Sequence, residues 1–162
     1  MSEVAFRIGH GYDAHRIEAG DGVMLGGVRI ACEWRVIAHS DGDVLIHALC
    51  DALLGAVGGG DIGRLFPDTD AQYRGISSLH FLHETMRRVR EQGWGVGNAD
   101  LTLVAQVPRV APHAGAIRDT LALALGVGSG CVNLKATTTE GMGYIGRREG
   151  IAAHAVVLLQ RA

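Results

Sequence analysis

The sequence predicts an α+β fold: one compact domain over residues 1–162, with a mixed β-sheet on one side and about three helices. Three observations predict it. Residues 98–107 alternate apolar and polar side chains with a period of two, as a half-buried strand does. Residues 77–92 repeat apolar side chains at helical spacing through Leu79, Leu82, Met86 and Val89. Strand-like and helix-like segments alternate, but hairpin signals fall between them, which fits α+β better than a doubly wound sheet. A chain of 162 residues is about one domain long.

Each element has a local reason. Val4 to Ile8 reads as a strand running into Gly9–His15. Val23 to Ile30 places two short apolar runs around Gly26-Gly27, a hairpin signal. Asp41 to Val57 reads as a helix, with acids at its start, where the helix dipole favours them, and Gly58-Gly59-Gly60 at its end. Val44, Leu45, Ile46, Leu49, Leu53 and Leu54 make it apolar nearly all round. Such a helix is buried on both flanks, and in so short a chain that leans toward an oligomer. Gly63 to Arg74 reads as a loop, and Ser77 to Gln92 as a second helix stopped by Gly93. Pro112 to Gly126 is a third helix with Pro near its first turn. Val132 to Ala136 is a strand, Thr137–Arg148 a loop too rich in Gly for a helix, and Ile151 to Gln160 a last strand.

Composition narrows the function classes. With 48% hydrophobic and 20% charged residues the chain is neither disordered nor collagen-like. No apolar run approaches the ~18 residues of a membrane span. A net charge of -2 without a basic run points to neither nucleic acid nor an anionic membrane. Three cysteines, Cys32, Cys50 and Cys131, with no C-x-x-C pair argue against a disulfide framework and a Cys-rich zinc site. The first residues lack the basic start and long apolar stretch of a signal peptide, so a cytoplasmic location is expected.

Two glycine patterns mislead. Gly58-x-Gly60-x-x-Gly63 matches a dinucleotide fingerprint but follows a helix rather than a strand. Gly9-x-Gly11-x-x-Ala14 follows a strand but leads into no helical stripe.

Three constellations carry chemistry. Asp13 and His15 point the same way from an extended segment, and a carboxylate beside an imidazole suits a divalent metal. His47 in the first helix is a candidate third ligand. Asp43 and Asp51, one turn to either side and within about 80° of helix surface, are candidates to hold its second ring nitrogen. Two His and one Asp leave a coordination position open, as catalytic zinc sites do. A solvated His15 and a hydrogen-bonded core His47 are the alternative. Next comes the acid-rich pair of stretches 39–43 and 61–70, with Asp41, Asp43, Asp61, Asp68 and Asp70. They suit hydroxyl-rich ligands or metals, or else plain turn and cap chemistry. Finally, Lys135-Ala136-Thr137-Thr138-Thr139-Glu140-Gly141 offers hydroxyl donors for phosphate and a carboxylate for Mg²⁺, or else ordinary strand propensity.

Taken together, five segments in order resemble the 2-C-methyl-D-erythritol 2,4-cyclodiphosphate synthase family. They are Gly9-His10-Gly11-Tyr12-Asp13-x-His15; Ala38 to Asp43; His47-Ala48 with Asp51 to Gly55; Gly60 to Gly63 with Phe66 to Asp70; and Ala136 to Glu140. The resemblance runs from about Phe6 to Leu159. It implies a homotrimer with sites at the subunit boundaries, and conversion of 4-diphosphocytidyl-2-C-methyl-D-erythritol 2-phosphate to the cyclic diphosphate with loss of CMP. By position, Asp13, His15 and His47 look like zinc ligands. Glu140 looks like the protein ligand of a Mg²⁺ or Mn²⁺ on the diphosphate. His39 and Thr138 look like the groups flanking the reacting phosphates. Ser40, Asp61, Ile62, Gly63, Phe66, Asp68 and Asp70 match substrate contacts around the methylerythritol. Ala105, Pro108, Arg109, Ala111, Ala136, Thr137 and Thr139 match the cytidine and phosphate side, and Tyr144 and Arg147 match later contacts. Arg109 stands where the family usually has Lys, so a planar fork replaces a point charge. A metal-dependent phosphoesterase and a non-catalytic metal- or nucleotide-binding trimer are the competing readings.

Overall fold

A computed structural model describes residues 5–162; Val4, the predicted first strand residue, lies outside them. The expected α+β architecture is present. A five-stranded mixed sheet runs in the order β4-β1-β7-β5-β6, from β1 (Phe6–Ala19), β4 (Trp34–Ile37), β5 (Trp94–Val104), β6 (Val132–Thr137) and β7 (Gly150–Arg161). All neighbours are antiparallel except β5 and β6, which are joined through a helix as parallel strands require. β2 (Val23–Leu25) and β3 (Val28–Ile30) form the expected separate hairpin. Gly26 and Gly27 supply its two positive φ angles, 58° and 79°.

Among the described residues, five α-helices replace the predicted three. α1 (Val44–Ala56), α3 (Ser78–Glu91) and α4 (Ala114–Leu125) are the expected long ones, starting three, one and two residues later than predicted. The two additions are single turns inside predicted loops: α2 (Ile62–Leu65) and α5 (Gly143–Gly146). Asp61 nucleates α2 by accepting from the Arg64 N–H at 2.9 Å. In α5, Gly143 opens the turn with a left-handed φ of 68°, and Gly146 packs so closely on Gly141 that a Cβ there would lie 2.0 Å from its carbonyl carbon. The sheet also exceeds expectation. β1 continues through Gly9–His15 to Ala19 because its whole length pairs with β7 and then β4.

The interior face of β1 carries Gly9, Gly11, Asp13, His15 and Ile17 in alternation. A Cβ on Gly9 would lie 1.8 Å from the Ala52 carbonyl oxygen, and one on Gly11 would lie 1.8 Å from that of Ala48. The α1 backbone therefore rests directly on the β1 backbone, with Ala153 and Ala155 of β7 buried beside it. Nearly every side chain of α1 is buried, as its pattern predicts. Its own chain covers it, however: the sheet on one side and α3 on the other. The apolarity of α1 thus gives no argument for an oligomer. Exposed apolar side chains lie instead on the outer sheet face, at Phe6, Ile8 and Tyr12 of β1 and Val156 of β7.

Asp43 sets the start of α1. Its carboxylate, fully buried, accepts from the Ile46 N–H at 3.1 Å and from the N–H groups of Gly26 at 2.9 Å and Gly27 at 2.8 Å. One side chain thereby caps the helix and pins the β2–β3 turn to it.

The backbone contact between β1 and α1 gives a stability prediction. A methyl group at position 11 must push helix from strand, so Gly11→Ala is expected to cost about 3 kcal/mol, read from the urea unfolding midpoint.

Candidate active site

The strand–helix contact delivers two ligand types to one place. Asp13 and His15 follow Gly11 on the interior face of β1, just beyond the first turn of α1, where His47 stands. The three side chains form a triangle. Asp13 Oδ2 lies 2.8 Å from His15 Nε2 and 3.2 Å from His47 Nδ1, and the two imidazole nitrogens are 3.0 Å apart. This is the cluster of three His, Cys, Asp or Glu residues with metal-ligand spacing among the described residues.

The triangle fits a small divalent cation. A tetrahedral ion with ligand bonds of about 2.0–2.1 Å needs donor atoms about 3.3 Å apart, close to the three edges observed. The donor chemistry agrees. A carboxylate oxygen and two deprotonated imidazole nitrogens would turn lone pairs on one another, so the cluster needs a cation or shared protons at its centre. Without a metal, protons serve. Burial raises the Asp13 carboxyl, but hydrogen bonds from His15 and His47 and their charge outweigh it and hold it down at about 2. Burial lowers the His47 imidazole, yet its hydrogen bond to Asp13, with the charges of Asp13, Asp43 and Asp41, raises it overall.

The support for His47 differs from expectation. Neither Asp43 nor Asp51 reaches its second nitrogen: Asp43 is occupied by the hairpin and the helix cap, and Asp51 accepts from the Ile62 N–H at 2.8 Å. His47 Nε2 instead meets Ser78 Oγ at 2.9 Å and Ser40 Oγ at 3.3 Å. Ser78 is fully buried at the start of α3, 31 positions away in sequence, where it reads only as a helix end.

A cavity of about 310 Å³ opens beside the triangle, lined also by His39, Ser40, Ile62, Gly63, Phe66 and Asp68. Six of the residues matched to substrate and catalytic contacts therefore share one space with the triangle. His39 Nε2 lies 3.1 Å from the Asp70 carbonyl oxygen; a carbonyl only accepts, so Nε2 carries the proton. Asp61 and Asp70 do not line this cavity. They cap α2 and the following 3-10 turn (Ala71–Tyr73), as ordinary cap chemistry has it. Tyr73 and Phe81 were not singled out by sequence, yet both line it. They pack against Phe66, Tyr73 edge-on at a ring separation of 5.5 Å and Phe81 tilted at 4.5 Å.

The remaining predicted residues gather elsewhere. Ala105, Pro108, Arg109, Ala111, Ala136, Thr137 and Thr138 line a second cavity of about 210 Å³, and no residue lines both. Gln106, another residue sequence reading passed over, braces this region. Its Oε1 accepts from the Thr139 N–H at 3.1 Å and the Gly141 N–H at 3.4 Å. Glu140, exposed beside it, takes a left-handed φ of 52°, and its N–H donates to Thr138 Oγ1 at 3.1 Å. Lys135 does not face this cavity; its ammonium pairs with Asp100 at 2.5 Å. Tyr144 and Arg147 lie apart again. The Tyr144 hydroxyl meets that of Tyr12 at 2.6 Å, which pushes Tyr12 up to about 12, and Arg147 pairs with Glu149 at 3.5 Å. Cys50 is no nucleophile, because burial pushes its thiol up to about 12.

Fold and site together define an α+β protein with a triangle of one Asp and two His, able to hold a metal ion, in the wall of a cavity. The chain belongs to the YgbB family, whose model matches residues 6–160. It is 60% identical over 156 residues to the 2-C-methyl-D-erythritol 2,4-cyclodiphosphate synthase of Methylococcus capsulatus, covering 96% of this chain and 99% of that one. The structure of IspF from Plasmodium falciparum in complex with CDP superposes with a TM-score of 0.87 at 34% identity, covering 99% of each chain. The bifunctional IspDF of Campylobacter jejuni superposes with a TM-score of 0.93 at 40% identity; this chain covers 42% of its length, and the match takes in 97% of this chain.

The triangle makes the metal-free protein pH-sensitive in a defined window. Asp13 sits at about 2 when folded, against an ordinary 3.8, so its stabilisation is complete above about pH 4 and is lost as the pH falls toward 2. Between those limits the wild type should lose about 2 kcal/mol more than Asp13→Asn, measured by urea unfolding at each pH.

Proposed function

We propose that the chain is a phosphorus–oxygen lyase of the non-mevalonate isoprenoid pathway, working in the cytoplasm. It converts 4-diphosphocytidyl-2-C-methyl-D-erythritol 2-phosphate to 2-C-methyl-D-erythritol 2,4-cyclodiphosphate and CMP. The observation that carries this reading is the Asp13–His15–His47 triangle lining a cavity, in a chain 60% identical to such a synthase. The whole of 1–162 serves as one synthase domain.

The reaction is intramolecular. An oxygen of the 2-phosphate attacks the β-phosphorus, the bond from that phosphorus to the bridging oxygen breaks, and CMP leaves with the bridging oxygen and its charge. Since nucleophile and electrophile belong to one molecule, no protein nucleophile is needed, and a buried Cys50 agrees with that. The barrier is the approach of two anionic groups, so catalysis lies in positioning and charge compensation. Asp13, His15 and His47 would hold a zinc ion and Glu140 a magnesium or manganese ion. Those cations supply positive charge to the phosphates.

The chain's own groups do the rest. His39, its Nε2 tied to the Asp70 carbonyl, and the Thr138 hydroxyl flank the reacting phosphates. Ser40, Ile62, Gly63 and Asp68 take the methylerythritol phosphate, Asp61 and Asp70 act there by capping the turns that carry these residues, and Phe66 closes that side against water with Tyr73 and Phe81. Ala105, Pro108, Arg109, Ala111, Ala136, Thr137 and Thr139 take the cytidine and its phosphates. Tyr144 and Arg147 contribute from the outer edge.

A homotrimer supports this division of labour. The two groups of residues line separate cavities in one chain, so a single copy does not present them to one substrate. A neighbouring copy placing its Thr138 side against the Asp13 side would. The exposed apolar stripe of Phe6, Ile8, Tyr12 and Val156 is a surface that association would bury.

Two experiments test this. A ³¹P NMR time course with substrate, Mg²⁺ and zinc-loaded protein is expected to show the mutually coupled pair of a cyclic diphosphate together with CMP. Inorganic phosphate would indicate a phosphoesterase, and unchanged substrate a binding protein. Asp13→Ala and Thr138→Ala should each abolish turnover alone. Co-expressed in equal amounts, they should recover about a quarter of wild-type activity, because random trimers pair two intact halves at about one boundary in four. No recovery would place each site within one chain.

A further inference from the structure

We infer that Asp41 and Ser78 are positioning residues for His47. Through one directed chain of hydrogen bonds they keep the proton on Nε2 and leave the Nδ1 lone pair facing Asp13 and His15. The inference rests on the proposed reading of that triangle as a metal site and deepens it.

The direction of the chain follows from what each group can do. The Asp41 carboxylate only accepts. It receives the Ser78 N–H on Oδ2 at 2.9 Å, the Asp43 N–H on Oδ1 at 3.1 Å, and the Ser78 hydroxyl on Oδ1. That hydroxyl has a single proton and gives it to Asp41. Toward His47 Nε2, 2.9 Å away, Ser78 Oγ can then offer only a lone pair, so Nε2 must carry the hydrogen. An imidazole protonated on Nε2 in its neutral form has its lone pair on Nδ1, the atom that meets Asp13 Oδ2 at 3.2 Å. Ser40 Oγ also lies near Nε2, at 3.3 Å, but no carboxylate fixes its hydroxyl, so it follows the tautomer rather than setting it. Ser78 is wholly buried, so water does not substitute for it.

Asp41 is itself held from two sides. Its own N–H donates to the Ile76 carbonyl at 3.1 Å, and its carboxylate spans the entry to α1 and the first residue of α3. The relay therefore joins both helices behind the ligand. A group that fixes the second nitrogen of a metal-binding His sets its tautomer and ring orientation, and its loss typically weakens metal binding 10- to 100-fold.

The test reads zinc affinity and the tautomer rather than activity. Zinc dissociation constants come from competition with a chromophoric chelator. Long-range ¹H–¹⁵N spectra of metal-free protein at alkaline pH report which His47 nitrogen is protonated. In the wild type, Nε2–H is expected. Asp41→Asn can donate its amide hydrogens to Ser78, turning that hydroxyl toward His47. The variant should fold, show Nδ1–H, and bind zinc at least tenfold more weakly. Ser78→Ala should weaken zinc by a similar factor. Overturning results are Nδ1–H in the wild type, or zinc affinity unchanged in both variants while their melting temperatures fall, which would mark a merely structural role. Failure of the metal reading looks different: the wild type itself would bind no zinc that Asp13→Ala fails to bind.

Discussion

The site depends on how closely one helix lies against one strand. With glycine at positions 9 and 11, the carbonyls of Ala48 and Ala52 occupy the space that strand side chains would fill. Helix α1 then sits low enough for His47 to meet the next two interior positions of β1, Asp13 and His15. A helix held off by ordinary side chains would stand several ångströms further away, about 10 Å from the sheet, and the triangle would open. The same approach explains the small residues behind it, Ala153 and Ala155 on β7 and Ala48 and Ala52 on the helix, all of them buried. The twin glycines are thus a packing requirement with a functional consequence at the next turn of the pleat.

Placing the helix correctly along its own axis is a separate task, and one buried and two half-buried carboxylates perform it. Asp43 fixes where α1 begins by binding its first turn and the hairpin turn at Gly26-Gly27 simultaneously. Asp51, two turns on, holds the start of α2 and with it Ile62 and Gly63 at the cavity wall. Asp41 joins the entry of α1 to that of α3. Three carboxylates with overlapping sequence signatures therefore do three positioning jobs, none of them as a ligand of the triangle. Burying such groups is costly unless each is satisfied, and here every one receives at least one backbone N–H.

What was legible in the sequence follows from how local the cause is. The hairpin, the glycine stops after the long helices and the alternation of β5 arise from neighbours a few residues apart, and all were readable. The pairing of Asp13 with His15 was readable too, because strand parity alone aims them together. The extension of β1 past His15 to Ala19 was not, nor was the strand β4 that it pairs with there, since that pairing joins residues far apart in the chain. Nor was Ser78, whose meaning comes from a contact with His47 across 31 positions. The short helices α2 and α5 fall below the length at which a periodic pattern exists. The separation of the two cavities was invisible for the same reason: Thr138 and Asp13 carry suitable chemistry, but only the folded sheet shows that they line different spaces.

The triangle is also the place where the fold works against itself. Three acceptor atoms brought to about 3 Å of one another repel unless a proton or a cation lies among them. Their elements are held by contacts elsewhere: β1 by two strands, and α1 by the sheet, α3 and its Asp43 cap. The atoms therefore cannot relax apart without disturbing the core. Such a site is preorganised, and an ion entering it meets ligands already in place. By mass action any ion that binds this folded arrangement and not the unfolded chain stabilises the corner where β1, α1 and α3 meet. The cation that serves the chemistry would then also relieve the repulsion among these three acceptors.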